Sequence, residues 1–238
     1  MTPEPRADRL DALFARPFAH RGLHGAGVIE NSRAAFRAAI AAGHGIELDV
    51  QASADGEAIV FHDYGLERLT DAKGKLAEMS AAALTAIPLK GEREGLPTLA
   101  EILALIDGHA PLLIEVKSPG RRVAALSRAV ARAVDAYIGP VAVMSFNPAV
   151  PRWFARHRPD VLRGLVVTEE GRPERNRLKR RFSLWWSRAD FLGYDIRDLP
   201  SPFAAASGLP VATWTVRTDA QRATAAAHAD QIIYEVEA

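Results

Sequence analysis

A chain of 238 residues that is 48% hydrophobic and 25% charged is long enough to bury a full core and falls within the size of one large α/β domain. Thirty basic residues against 29 acidic leave a formal net charge of +1, so no global field points to nucleic acid or an anionic membrane, and anion binding must be local. The lack of cysteine excludes disulfides, thiolate metal sites and cysteine nucleophiles, which leaves His, Asp and Glu as ligands for a hard, oxygen-bound metal.

The opening MTPEPRADRLDALFARPFAH carries acids early and no long apolar run, so it does not read as a secretory signal. Nothing further along approaches a membrane span, and a cytoplasmic location is the default expectation. Strand-like runs then recur with helical stretches between them: PFAHRG from 17, GIELDVQA from 45, PLLIEVK from 111, VAVMSF from 141, LRGLVV from 162, FLGYDI from 191, VATWTV from 211 and QIIYEV from 231. Alternation at this spacing implies parallel strands with crossover helices, and eight such units are what a (β/α)8 barrel requires. Phe36 and Ile40 lie one turn apart in the first predicted helix, with Gly43 as its stop. TLAE, Thr98 to Glu101, has capping-box form.

A ninth run, AIVFHD from 58, breaks the alternation. Only SADGE separates it from the second strand, too little for a parallel crossover, so the two pair as an antiparallel hairpin at the barrel rim. A two-residue Asp55-Gly56 turn would set His62 against Asp49. The stretch from about 64 to 97 is too long for a simple loop and reads as a small, partly helical insertion on the active-site side. The chain is thus expected to be a single barrel domain over 1–238.

Strand alternation puts Glu47 and Asp49 on one face of IELDV, and Glu115 with Lys117 on one face of LLIEVK. Three inward carboxylates would repel one another in a low-dielectric interior, and Mg²⁺ or Ca²⁺ is the economical compensator. A structural ion-pair cluster with Arg21 and Lys117 is the plain alternative. His20 ends the first strand, where barrel enzymes place catalytic groups, and the hairpin returns His62 to the same rim. Two imidazoles flanking a metal-held phosphate could serve as general base and general acid, with Arg21 offering a bidentate fork to phosphate oxygens.

The ordered set AHRG, ENS, IELDV, DG, IVFHD, PTLAE, LLIEVK and MSFNP resembles the glycerophosphodiester phosphodiesterase family, from about residue 18 to Trp214. The resemblance implies a (β/α)8 barrel and metal-dependent hydrolysis of glycerophosphodiesters to glycerol 3-phosphate and an alcohol. It places the catalytic pair on His20 and His62 and the Mg²⁺ or Ca²⁺ ligands on Glu47, Asp49 and Glu115. Arg21 and Lys117 become phosphate-contacting or charge-balancing groups, and Trp214 lines the substrate pocket. Asn31 or Ser32 is expected to cap a helix. The chain departs from the family pattern in having Arg217 after TWTV and in ending IIYEVEA, positions expected to lie away from the metal.

One segment stands apart. Residues 172 to 188, RPERNRLKRRFSLWWSR, hold seven basic residues and one acid, which leaves the rest of the chain at about −5. Leu178, Phe182, Trp185 and Trp186 fall on one helical face, expected to be the stripe that packs on the barrel. An interfacial membrane helix is the alternative, and with it a lysophospholipase D-type activity on membrane-derived lipids. A non-catalytic phosphate-ligand-binding barrel is the third reading.

Overall fold

The computed structural model describes residues 5–170, 174 and 176–236. Helix α1 (Arg6–Leu13) leads into strand β1 (Phe18–Ala19) and helix α2 (Arg33–Ala41). The hairpin follows as β2 (Gly45–Ala52) and β3 (Ala58–Val60), then α3 (Ala81–Thr85) in the insertion and α4 (Leu99–Ile106). Thereafter strand and helix alternate: β4 (Leu112–Val116), α5 (Ala124–Val134), β5 (Val141–Ser145), α6 (Ala149–His157), β6 (Leu162–Val167) and α7 (Arg177–Ser187). The chain finishes with β7 (Phe191–Asp195), α8 (Pro202–Ser207), β8 (Val211–Val216), α9 (Asp219–His228) and β9 (Gln231–Tyr234).

The parallel strands run β1-β9-β8-β7-β6-β5-β4-β2, and β1 pairs back onto β2, so the sheet closes into the expected (β/α)8 barrel. β3 adds to β2 antiparallel, as the rim hairpin requires. Closure removes both sheet edges from the barrel proper. Alternation then decides what fills it. Outward Ile46, Leu48 and Val50 join the helix-facing core, while Phe18, Leu113, Ala142, Leu162, Phe191 and Ala212 pack the barrel floor, which Leu13 of α1 plugs. One layer higher, the inward positions of β2 and β4 change from apolar to acidic. The insertion has its own small core, in which Leu66, Leu76, Leu84, Leu89 and Leu96 gather around Ile59 and Phe61.

Local signals behave as expected at α2, which Ser32 caps by accepting from the Ala35 N–H and which gives way to Gly43 at φ 73°, and at α4, which starts with a Thr98–Glu101 capping box. Two expectations are corrected. The hairpin pairs Val50 with Val60 and Ala52 with Ala58, one residue away from the register that sets His62 against Asp49. The turn is wider than two residues because Ser53 Oγ accepts the Glu57 N–H at 2.9 Å and donates to Asp55 at 2.6 Å. The second correction concerns α7, where Leu178, Phe182 and Trp185 face solvent rather than the barrel; Ser187 is buried and Leu184 packs against the core instead. Residues 172, 173 and 175 of that segment lie outside the described residues.

Candidate active site

The rim at the C-terminal ends of the strands holds a cavity of about 380 Å³ bordered by His20, Arg21, Glu47, His62, Glu115, Lys117 and Trp214. Asp49 stands beside it, directly paired with Glu115 across β2 and β4. All the residues singled out in the sequence therefore meet in one place, although they come from four strands and a hairpin.

Glu47 and Asp49 are almost fully buried, and one oxygen from each of Glu47, Asp49 and Glu115 lies within 4.8 Å of the others. Burial first, and the neighbouring acids next, push the Glu47 carboxyl well above the usual range and Glu115 up to about 7. Asp49 stays low in spite of burial because Lys117 and Arg21 stand against it. Lys117 Nζ is 3.3 Å from Asp49 and 3.4 Å from Glu115, and Arg21 Nε is 3.3 Å from Asp49. Two cations face three acids, so the three carboxylates are ionised together only at a cost unless further positive charge joins them. An all-carboxylate oxygen set of this kind suits Mg²⁺ or Ca²⁺.

The HRG motif acquires a geometric meaning here. Arg21 (φ 55°) and Gly22 (φ 80°) are both left-handed, and a side chain at Gly22 would meet Ala35 at 2.8 Å. This sharp bend lets the Arg21 N–H donate to Glu47 at 3.0 Å while its guanidinium reaches Glu30 at 2.8 Å. Glu30 is shared with Arg68, and Arg68 also grips Asp63. Asp63 in turn lies 2.6 Å from His62 Nδ1. An ionic chain thus runs from Arg21 through Glu30, Arg68 and Asp63 to His62.

His20 is held in the same manner. Its Nδ1 is 2.6 Å from Glu235 Oε1, and its Nε2 faces the acids at 3.9 Å from Glu47. Because a carboxylate accepts from Nδ1–H, each imidazole presents Nε2 to the cavity. Burial lowers the proton affinity of both rings, against the pull of Glu235 on His20 and of Asp49 on His62.

Several contributing residues escaped the sequence reading. Asn31 does not cap a helix: its amide donates to Asp49 Oδ2 at 3.0 Å and its carbonyl accepts the Asp49 N–H at 3.3 Å. The Gln51 amide lies within 2.7–3.1 Å of the carbonyls of Phe61, His62 and Asp63 and pins the loop that carries His62. That loop leaves the ladder after β3, so His62 reaches the cavity despite the shifted register. Glu235, expected away from the metal, touches His20, and its other oxygen takes the Arg217 Nε–H at 2.7 Å. The two departures from the family pattern thus form one ion pair. Alternation, the one signal available, could have flagged Gln51, since it follows Glu47 and Asp49 on the inward face.

Trp214 stands edge-to-face with Phe146 at 5.4 Å, and its buried indole N–H has no acceptor among the described residues. His24 lies 4.0 Å from Glu235, in the Gly-rich loop beside the cavity.

Fold and rim together define a (β/α)8 barrel whose acidic, histidine-flanked site lies at the C-terminal ends of the strands. The sequence profile of the Glycerophosphoryl diester phosphodiesterase family matches residues 20–236, and the chain belongs to that family, within the glycerophosphodiester phosphodiesterase class of enzymes. Glycerophosphodiester phosphodiesterase 1 of Bos taurus is 27% identical over 252 residues, which cover 90% of this chain and 74% of the relative. A glycerophosphodiester phosphodiesterase of Caldanaerobacter subterraneus subsp. tengcongensis is 38% identical over 110 residues, 42% of this chain and 44% of that protein. Among solved structures, an Oleispira antarctica phosphodiesterase in complex with the product sn-glycerol-3-phosphate superposes with a TM-score of 0.78 at 22% identity and covers 94% of each chain. That likeness is one of fold.

Proposed function

We propose that the chain hydrolyses glycerophosphodiesters at a P–O bond, releasing glycerol 3-phosphate and an alcohol, with His20 and His62 as the acid–base pair and a divalent cation on Glu47, Asp49 and Glu115. The observation that carries this reading is the pair of carboxylate-tethered imidazoles bordering one cavity with that acidic cluster. Bound there, Mg²⁺ or Ca²⁺ would supply Lewis-acid stabilisation of the charge that builds on phosphorus.

The residues of the chain supply the rest. With Nδ1–H given to Glu235 in His20 and to Asp63 in His62, each ring exchanges protons with the substrate through Nε2. One ring takes the proton of the glycerol hydroxyl that attacks phosphorus to form a cyclic phosphate. The other enters the step as the imidazolium and delivers its Nε2 proton to the leaving alkoxide, and the roles reverse when water opens the ring. Arg21 and Lys117 hold the carboxylates in place and offset phosphate charge, and Trp214 offers its indole N–H to the substrate.

The decisive assay is release of glycerol 3-phosphate from glycerophosphocholine by the purified chain with Mg²⁺ or Ca²⁺. Chelation, His20→Ala, His62→Ala and Glu47→Ala should each abolish it; undiminished turnover in His20→Ala would overturn the catalytic assignment. Binding of glycerophosphodiesters without turnover, metal present, would identify a phosphate-ligand-binding barrel instead. The solvent-facing aromatics of α7 favour a second reading, a lysophospholipase D-type activity, which lysophosphatidylcholine in the same panel distinguishes.

A further inference from the structure

We propose that α7 is an interfacial helix that docks the barrel mouth onto an anionic phospholipid surface. The proposal rests on the surface of this helix and not on the catalytic assignment, so the two fail separately.

A helix that connects two barrel strands ordinarily turns its apolar stripe inward. α7 does the reverse. Leu178 is 82% exposed, Phe182 59% and Trp185 74%, and the last two rings lie 5.7 Å apart as one aromatic patch. At 100° per residue these three side chains span about 60° of the helix surface. The barrel side carries instead the buried Ser187, the partly buried Leu184, and Arg180, which pairs with Glu169 at 3.4 Å.

Charge frames the patch on both flanks. Arg177 and Arg181 lie to one side of the aromatic stripe, Lys179 to the other, and all three are exposed. Glu174, which lies outside the helix, is 3.8 Å from Arg177, and Glu169 meets Arg180 on the barrel side. An apolar centre that enters the headgroup–acyl boundary, with long cationic side chains reaching to phosphates on either side, is the design of an interfacial helix. Charge complementarity selects the occupant. A second copy of the chain would oppose these cations to themselves across a two-fold axis, whereas an anionic bilayer neutralises them.

The position of α7 gives docking a consequence. Trp186 shares a surface depression with Glu115, Lys117 and Phe146, and Lys179 shares another with Phe146. Phe146 also borders the catalytic cavity. A helix lying on lipid would therefore hold the mouth close to that surface.

The test is cosedimentation of the full chain with vesicles of phosphatidylcholine alone and of phosphatidylcholine mixed with phosphatidylglycerol, at low salt. Binding is expected to the mixed vesicles and to fall with added salt. Phe182→Asp/Trp185→Asp should lower the partition coefficient roughly tenfold or more. The charge reversals Arg177→Glu and Lys179→Glu should also lower it. Both sets should leave circular dichroism and hydrolysis of soluble glycerophosphocholine unchanged. A blue shift in tryptophan emission on vesicle addition should disappear in Trp185→Phe. Absence of partition into anionic vesicles at low salt, or partition unaffected by Phe182→Asp/Trp185→Asp, would overturn the proposal. So would concentration-dependent self-association that Phe182→Asp removes without any vesicle binding.

Discussion

Arg68 is the hub of the ionic chain between Arg21 and His62, and its removal has a calculable cost. Glu30, partly buried, is held at about 2 against an ordinary 4.5, since its hydrogen bonds and charge pairing with Arg68 and Arg21 outweigh the burial that would raise it. Asp63 is likewise held at about 2, against 3.8, by Arg68 and His62. At 1.36 kcal/mol per tenfold change in proton affinity, these correspond to about 3 and about 2 kcal/mol. Arg68 shares the first with Arg21 and the second with His62, and it is itself half exposed, so solvent screening reduces its part further. Arg68→Met should therefore cost about 2 kcal/mol at pH 7, or roughly 5 °C in thermal midpoint for a chain of this length. Both carboxyls have depressed folded values. Their contribution is present above the unfolded values of 4.5 and 3.8 and is lost as pH falls towards 2. Urea titrations of wild type and variant between pH 7 and pH 3.5 should give curves that converge as the pH falls. A stability difference that stays constant across that range, or one below about 0.5 kcal/mol at pH 7, would refute the reasoning.

Three further outcomes follow from the site. Glu235→Gln should lower kcat for glycerophosphocholine by on the order of tenfold to a hundredfold with little change in KM, because His20 loses its orienting carboxylate while the substrate contacts remain. Asn31→Ala should weaken Mg²⁺ or Ca²⁺ binding by roughly tenfold to a hundredfold, read by calorimetric titration, since the amide that positions Asp49 is gone. Glu47→Gln should raise the thermal midpoint of the metal-free protein, because it removes a carboxyl that burial and the neighbouring acids make costly to ionise, yet it should erase the further rise that added metal gives the wild type. A metal-induced rise of equal size in Glu47→Gln would refute the ligand assignment.

Much of this protein follows from local pattern. The alternation of side chains along a strand is a property of the backbone alone, so IELDV and LLIEVK announce their inward carboxylates before any partner is known. Strand and helix alternating eight times require the barrel, and a five-residue link forces β3 to pair antiparallel. What the sequence leaves open are partners distant along the chain and faces whose environment closure decides. Glu235 meets His20 across 215 residues only because β9 pairs with β1. Asn31 looks like a cap until the bend at Arg21 carries it to Asp49, and the capping falls to Ser32. The hairpin register slips by one because a serine hydroxyl widens the turn, and His62 recovers its place through a loop pinned by Gln51. Sequence periodicity shows that α7 has an apolar stripe; which side of the helix meets the barrel depends on packing across the whole fold, and here that packing leaves the aromatics in solvent.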